Sequence, residues 1–261
     1  MRRHWRSLSL VMALFLVGRF GLSQVGGQEI GGLQACTSTP SVLCLNNRFL
    51  VSFAWLVHEQ NLGGFGTAVT LTSDTGYFWF NTASNVELVI KAVDGTAFNN
   101  FFWVFFGALT NVEYLITVTD TVTGRIRTYV SQQGQLRSVS DTAAFNASDG
   151  PAANANVAGI WDAAIDNPGS STAAFVFTFS QTGTSVSGTF SSVDPTGPAG
   201  TVSGTISGQK FTFTATVNTG TGPCTIPGFL VVGGAGTLMR GAFPGTACVG
   251  GGFNILSANK R

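Results

Sequence analysis

Nine consecutive uncharged residues, FFWVFFGAL at 101–109, limit most strongly what this chain can fold into. A membrane-spanning helix needs about 20 apolar residues, whereas nine residues in extended form cover about 30 Å. The run therefore predicts a β-strand that is buried on both faces. The 22 Phe and 34 Gly, with abundant Thr, Val and Ser, favour short strands joined by turns. Because no segment after residue 23 shows helical periodicity, we predict an all-β fold.

The N-terminus is typical of an export signal. Three arginines within the first six residues precede an apolar run at 8–18, which is too short to anchor a protein in a membrane. Small residues, Gly21 and Ser23, stand just before a plausible cleavage site at Gln24. We predict a signal peptide at 1–23, a flexible segment at 24–35 and a secreted protein, either extracellular, periplasmic or on the cell surface. Lipid attachment at Cys36 is disfavoured because this cysteine lies well past the apolar run.

Removing the signal changes the charge balance. The whole chain has 13 basic and 12 acidic residues, and the signal contains four of the arginines. Nine basic and twelve acidic residues remain, a net charge of −3. The mature chain has no Lys or Arg cluster of the kind that binds nucleic acid or an anionic membrane. We therefore predict no nucleic-acid partner and no membrane span in the mature chain.

All four cysteines follow the signal, and disulfides persist in exported proteins. Three pairings are open. Their positions favour Cys36 with Cys44 and Cys224 with Cys248, which would close loops worth roughly 2.5 and 3.5 kcal/mol. A zinc site is disfavoured because the tight spacing that zinc ligands show is absent, and no other metal or cofactor is predicted.

A change of composition divides the mature chain. The segment ASDGPAANAN at 147–156 is small and polar, and it is predicted to be a linker between domains at 36–146 and 157–261. The first domain shows alternating segments around the opening run, which predict a two-sheet β-sandwich. These segments lie at 48–55, 85–95, 113–120 and 125–130.

The second domain contains about eight evenly spaced strand segments with Gly-bearing turns. Even spacing and short links predict an up-and-down β-barrel, whose closure removes exposed edges. The segments lie at 158–166, 173–181, 185–191, 200–208, 210–217, 229–232, 236–243 and 250–257.

Two resemblances support this division. The segments LCLNNRFLVSFAW, GYFWFN, NVELVIKAVDG and DTAAF, with the run at 101–130, resemble an uncharacterised β module of secreted and surface bacterial proteins, often repeated. This module covers about 36–145, but Ser131 and Gln132 stand where it has an Asn-Pro turn. The segments AGIWDAAI and SVSGTFS resemble lipocalin-like and avidin-like small barrels. The resemblances imply export and a compact β fold, and they assign no catalytic residue.

The barrel interior holds the predicted ligand-binding residues. Its phenylalanines alternate with polar or small residues and are expected to face inward, together with one tryptophan. An eight-stranded barrel is either filled by side chains or holds one small ligand, so a packed core and an apolar ligand site both stay open. The six residues are Trp161, Phe175, Phe177, Phe179, Phe211 and Phe213.

Few residues suggest catalysis. His58 is the only histidine after the signal, and its segment HEQN favours a solvated loop over a Ser/His/Asp arrangement. Asp162 and Asp166 lie about 13 Å apart on one strand, beyond the carboxylate spacing of glycosidases. Glu87 and Lys91 are expected on a charged outer face.

Calcium binding by turn aspartates is disfavoured because no loop is dense in acidic residues. The candidates are Asp74, Asp94, Asp120 and Asp141. We therefore predict no catalytic residue and a secreted, non-catalytic binding or surface-interaction protein of bacterial type with an extracellular partner. A carrier of a small apolar ligand is the second prediction, and a hydrolase is the third.

Overall fold

The computed structural model describes residues 35–60, 62–166, 172–219, 222–245 and 252–261. Eighteen strands dominate this part of the chain, with one four-residue helix, α1 (Thr96–Asn99), and one 3-10 turn. The predicted all-β class is therefore confirmed. The strands are β1 (Val42–Leu45), β2 (Phe49–Val57), β3 (Leu62–Phe65), β4 (Thr67–Thr70), β5 (Thr75–Trp79), β6 (Leu88–Asp94), β7 (Phe101–Ala108), β8 (Glu113–Asp120), β9 (Ile126–Ser131), β10 (Ser138–Asn146), β11 (Gly159–Asp166), β12 (Ala173–Thr182), β13 (Ser185–Ser192), β14 (Ala199–Ser207), β15 (Lys210–Thr219), β16 (Gly222–Gly233), β17 (Leu238–Pro244) and β18 (Phe253–Lys260).

Strands β1 to β10 form two five-stranded antiparallel sheets. The first sheet has the order β1-β2-β8-β9, with β3 paired to β2, and the second has the order β10-β7-β6-β5-β4. Alternate residues of both sheets, including Phe53, Phe78, Phe106 and Tyr114, meet in one buried core between the sheets. The predicted β-sandwich is therefore confirmed.

The opening run forms strand β7, but the prediction that it is buried on both faces is wrong. Val104, Phe106 and Ala108 face the core and are buried, whereas Trp103 and Phe105 on the opposite face are only half-buried. Strand β7 lies in the second sheet, and the barrel packs against the first. Among the described residues, no second apolar layer covers the outer side of β7 as the first sheet covers its inner side.

Strands β11 to β18 form the predicted up-and-down barrel. Each strand pairs with the next, and β11 also pairs with β18, which closes the barrel. The inward residues are mostly aromatic and aliphatic and form a second buried core. Small and polar residues such as Thr178 and Ser180 alternate with them, so the pattern of the sequence predicts the inside of the barrel correctly.

A third apolar cluster joins the outer face of the first sheet to the barrel. Ala54, Leu56 and Leu115 pack there against Phe253 and Ile255 of β18. Backbone groups of the predicted linker also form hydrogen bonds with the sandwich and with the barrel. Ala152 N–H donates to Thr123 O in the sandwich, and Ala155 N–H donates to Gly208 O in the barrel. The sandwich core and the barrel core stay separate clusters. The boundaries of two independent domains stay a prediction.

One of the two predicted disulfides is present, because Cys36 and Cys44 are bonded. The predicted Cys224–Cys248 pairing involves Cys248, which lies outside the described residues, as does the predicted signal peptide. Within the described residues, no helix is long and apolar enough to span a membrane.

Candidate functional site

The outer face of the second sheet carries aromatic side chains on two of its strands, β5 and β7. Strand alternation places Phe101, Trp103 and Phe105 of β7 on this face, opposite to the core positions. Tyr77 and Trp79 of β5 alternate with buried Phe78 in the same way. We call the following set the aromatic face: Tyr77, Trp79, Phe98, Phe101, Trp103 and Phe105.

Ring contacts make part of the aromatic face continuous. Phe98 in helix α1 lies 5.6 Å from Trp103, and Trp103 lies 6.2 Å from Phe105, measured between ring centroids. Phe98 is 81% exposed, the highest value among the exposed large apolar residues. An aromatic ring that water surrounds gives up the stabilisation that burial of apolar surface provides. Contiguous exposed apolar surface of this kind marks interaction sites.

The surrounding backbone holds the Trp103 indole in one orientation. Its Nε1 donates a hydrogen bond to Asn99 Oδ1 at 2.8 Å. The ring packs directly on the backbone of Gly95, where an added Cβ would lie only 2.1 Å from Trp103 Cε2. Any residue other than glycine at position 95 would displace the ring. This support leaves little freedom for Trp103 to lose when a ligand binds.

One cation and several hydroxyl groups complete this surface. Cross-strand pairing sets Phe105 between Lys91 of β6 and Ser140 of β10. Lys91 is the only charged residue among the described outward positions of β4 to β7, so the face is almost neutral. Ser138 lies opposite Gly107, and a Cβ added at Gly107 would lie 3.6 Å from the Ser138 hydroxyl oxygen.

The six residues predicted to bind a ligand all lie inside the barrel. Trp161 is fully buried and donates from Nε1 to Val157 O at 2.8 Å. Phe177 stacks on Phe179 with ring centroids 5.6 Å apart, and Phe179 meets the edge of Phe211 at 5.4 Å. The rings therefore pack against one another in the barrel core. Ligand binding by these residues stays a prediction.

His58 lies in the turn that follows β2, as predicted, but its side chain is only partly solvated. Its Nε2 lies 2.7 Å from Oε2 of Glu113, and only 26% of the His58 side chain is exposed. Glu113 is buried where β8 meets the barrel, and burial raises the pKa of this carboxyl to about 7. This pKa includes a lowering effect of His58 and a raising effect of nearby Asp166, at the end of β11.

Other acidic residues serve local structure. Glu87 was expected on a charged outer face but is buried, and burial raises its pKa. Arg48 binds Asp120 with two hydrogen bonds of 2.7 and 2.8 Å. Asp162 pairs with Arg261 instead of a second carboxylate.

The remaining candidate calcium ligands also have local partners. Asp74 accepts hydrogen bonds from Thr72 and Thr75, and Asp94 accepts one from the backbone of Thr96. Asp141 accepts a hydrogen bond from the Tyr129 hydroxyl. The described part of the chain contains no group of three or more His, Cys, Asp or Glu residues that could hold a metal ion.

Sequence reasoning missed both the aromatic face and the contact of His58 with Glu113. In β7 both alternating sets are apolar, so periodicity cannot distinguish the inner face from the outer one. The His58 contact depends on the register of β2 with β8, which pairs Leu56 with Glu113. Lys91 is the sequence feature that indicates the exposed side of β7. It pairs across the strands with Phe105, and a charged cross-strand neighbour indicates a solvent-facing position.

Comparisons of this chain with protein-family models, with curated proteins and with solved structures find no match. The resemblances to a bacterial β module and to lipocalin-like or avidin-like barrels therefore stay predictions.

Proposed function

We propose that this chain is a secreted, non-catalytic binding protein of bacterial type, and that the aromatic face contacts its extracellular partner. The observation that supports this most is the position of Phe98, which is 81% exposed and in ring contact with Trp103. Aromatic side chains dominate binding energies at protein interfaces because they bury large areas with few rotatable bonds. The Cys36–Cys44 disulfide is consistent with an oxidising compartment.

The alternatives receive less support. Ring-to-ring packing inside the barrel favours a filled core over a ligand carrier. His58 receives less support as a catalytic base because its hydrogen-bond partners among the described residues are Gln133 and Glu113, and neither is a nucleophile of the Ser, Thr or Cys type. A partner that meets the exposed face of the second sheet requires neither a cavity nor a nucleophile.

A binding screen with matched variants tests this proposal. The protein is presented to four classes of partner, namely polysaccharides, proteins, lipid vesicles and single-stranded DNA. The double variant Phe98→Ala with Trp103→Ala removes two rings of the aromatic face. Val193→Ala, at a residue of the barrel that is 63% exposed, is the control for loss of any exposed apolar side chain.

The proposal predicts that at least one class binds and that the double variant binds it at least about tenfold more weakly. The control should bind like the unchanged protein. Binding that is identical in all three proteins, or rapid hydrolysis of a bound partner, would contradict the proposal.

A further inference from the structure

We propose that the aromatic face binds a neutral polysaccharide, an inference that rests on the proposed binding role of this face. Such a ligand is amphipathic on a small scale. The axial C–H groups of a pyranose form an apolar, weakly positive surface, and its hydroxyl groups lie around the rim. A matching site offers ring faces for the C–H surface and hydrogen-bonding groups next to them.

The rings offer this apolar contact. One side of Trp103 rests on the backbone of Gly95, so the indole is held in place from one side. Phe98 and Phe105 adjoin it at 5.6 and 6.2 Å, with planes tilted by 41° and 82°. Rings at different angles suit a twisted or branched chain better than a flat crystalline surface. The preorganised indole reduces the entropy lost on binding.

Hydroxyl groups lie directly beside the rings. Ser140 is exposed and pairs across the strands with Phe105, and exposed Ser138 pairs with Gly107. In the part of the chain that the structure describes, no hydrogen bond occupies either serine hydroxyl. Each hydroxyl can therefore donate to or accept from a sugar hydroxyl.

The charges near the face argue against charged ligands. Nucleic acid requires a basic groove beside the stacking rings, and Lys91 is the only cation among the described outward positions of β4 to β7. The carboxylates in this sheet or next to its strands each accept a hydrogen bond, namely those of Asp74, Glu87, Asp94 and Asp141. Hydrogen bonds from Thr72 and Thr75 lower the pKa of Asp74, and those from Thr96 lower the pKa of Asp94. A neutral ligand leaves these local arrangements intact.

A second copy of the chain fits the face less well. Face-to-face pairing of two copies would remove each Lys91 from water with no carboxylate among the described outward positions of β4 to β7, and a cation–π contact of about 0.5 to 2 kcal/mol repays only a part of this desolvation. A polysaccharide leaves Lys91 in contact with water and with sugar hydroxyls. The single cation is therefore compatible with the neutral polysaccharide and costly for self-association.

Affinity electrophoresis and pull-down with neutral polysaccharides test the inference. Soluble mannan, xylan, mixed-linkage β-glucan and dextran are cast into native gels, and insoluble chitin and cellulose are used for pull-down. The unchanged protein, Phe98→Ala, Ser140→Ala and the Val193→Ala control are compared. Phe98 is 81% exposed, so its removal should leave folding intact, and a thermal melt of each variant checks this.

The inference predicts that at least one polysaccharide retards or captures the protein and that binding changes little between low and moderate salt. Phe98→Ala should weaken binding at least about tenfold, and Ser140→Ala should weaken it by a smaller factor. The Val193→Ala variant should bind normally. Absence of binding to every neutral polysaccharide, or equal binding by Phe98→Ala, would overturn the inference. If proteins or vesicles bind instead and Phe98→Ala weakens that binding, the polysaccharide inference fails while the proposed binding role of the face survives.

Discussion

The sandwich and the barrel use the same kind of side chain in opposite ways. In the barrel, Phe175, Phe177 and Phe179 point inward and alternate with residues that face water. In β7 of the sandwich, the aromatic residues occupy both faces, and Trp103 and Phe105 remain half-exposed. The aromatic residues of the barrel therefore stabilise the fold through their burial. The sandwich keeps a part of its aromatic content available for contact.

This contrast shows how far a hydrophobic pattern can identify the inside of a fold. Alternation identifies the inner face only where the other face is polar, as in β12. Where both faces are apolar, the pattern identifies a strand without showing which side another layer covers. The first sheet illustrates the same point, since its outer residues Leu56 and Leu115 are covered by the barrel.

The largest effect is expected inside the barrel. Phe211 is fully buried, so Phe211→Ala should lower the free energy of unfolding by about 3 to 5 kcal/mol. The lost contacts with Phe179 and Phe213 and the remaining cavity cause this loss. Urea unfolding followed by tryptophan fluorescence measures it. A loss well under 1 kcal/mol would mean that the interior is loosely packed and would revive the ligand-carrier prediction.

The next effect concerns the buried ion pair of the sandwich. Burial opposes ionisation of Asp120, but hydrogen bonds from Arg48, Thr123 and the backbone of Val122 hold its pKa below the usual value. Asp120→Asn should cost about 3 kcal/mol because it leaves the Arg48 guanidinium without its charged partner. The control is Asp149→Asn, whose partner Arg125 is 40% exposed, and it should cost about 0.5 kcal/mol or less. Equal losses in the two variants would contradict the role assigned to burial.

The contact between sandwich and barrel should respond to pH. Burial raises the pKa of Glu113 to about 7 in the folded protein, above its ordinary value of 4.5. The protonated form is favoured by folding, so the stability that Glu113 contributes is fully present below about pH 4.5 and is lost as pH rises through about 7. Chemical unfolding at pH 5 and pH 8.5 should show a loss from this group of about 3 kcal/mol.

Glu113→Gln removes the titrating group and should flatten this part of the pH profile. The matched control is Glu59→Gln, at a nearby exposed carboxyl whose pKa is lowered by hydrogen bonding. The control should retain the profile of the unchanged protein. If the Glu113→Gln profile is as steep as that of the unchanged protein, the pH response arises elsewhere.

The smallest effect on stability is expected at the aromatic face. Phe98→Ala is the same substitution as Phe211→Ala, but Phe98 is 81% exposed. The free energy of unfolding should change by about 0.5 kcal/mol or less because almost no buried surface is lost. A loss comparable to that of Phe211→Ala would show that Phe98 is covered in solution and would remove the basis of the proposed function.

Much of this fold could be predicted from the sequence. The strand at 113–120 coincides with β8, and the segments predicted for the barrel overlap β11 to β18. Apolar and polar residues alternate along these strands, or Gly-rich turns bound them, so the local sequence is sufficient to predict them. The Cys36–Cys44 bond joins cysteines eight residues apart, and its proximity in sequence made it predictable.

The candidate site could not be predicted in the same way because it depends on which sheet face is covered. Trp103 is partly exposed because the barrel packs on the first sheet and not on the second. The residue pattern of β7 does not indicate which of the two sheets the barrel covers. The environment of Glu113 likewise depends on Asp166, which lies more than 50 positions later in the chain. Long-range arrangements of this kind are set by the tertiary fold and not by local periodicity.

Hydroxyl-radical footprinting read out by mass spectrometry tests the contrast between the two regions most directly. Both regions contain tryptophan and phenylalanine, so intrinsic reactivity is matched within each pair. The account predicts rapid oxidation of Phe98 and Trp103 and protection of Phe211 and Trp161 in the folded protein. Equal protection of all four residues, or faster oxidation of the barrel residues, would contradict the claim that the sandwich presents Phe98 and Trp103 to solvent while the barrel encloses its aromatic side chains.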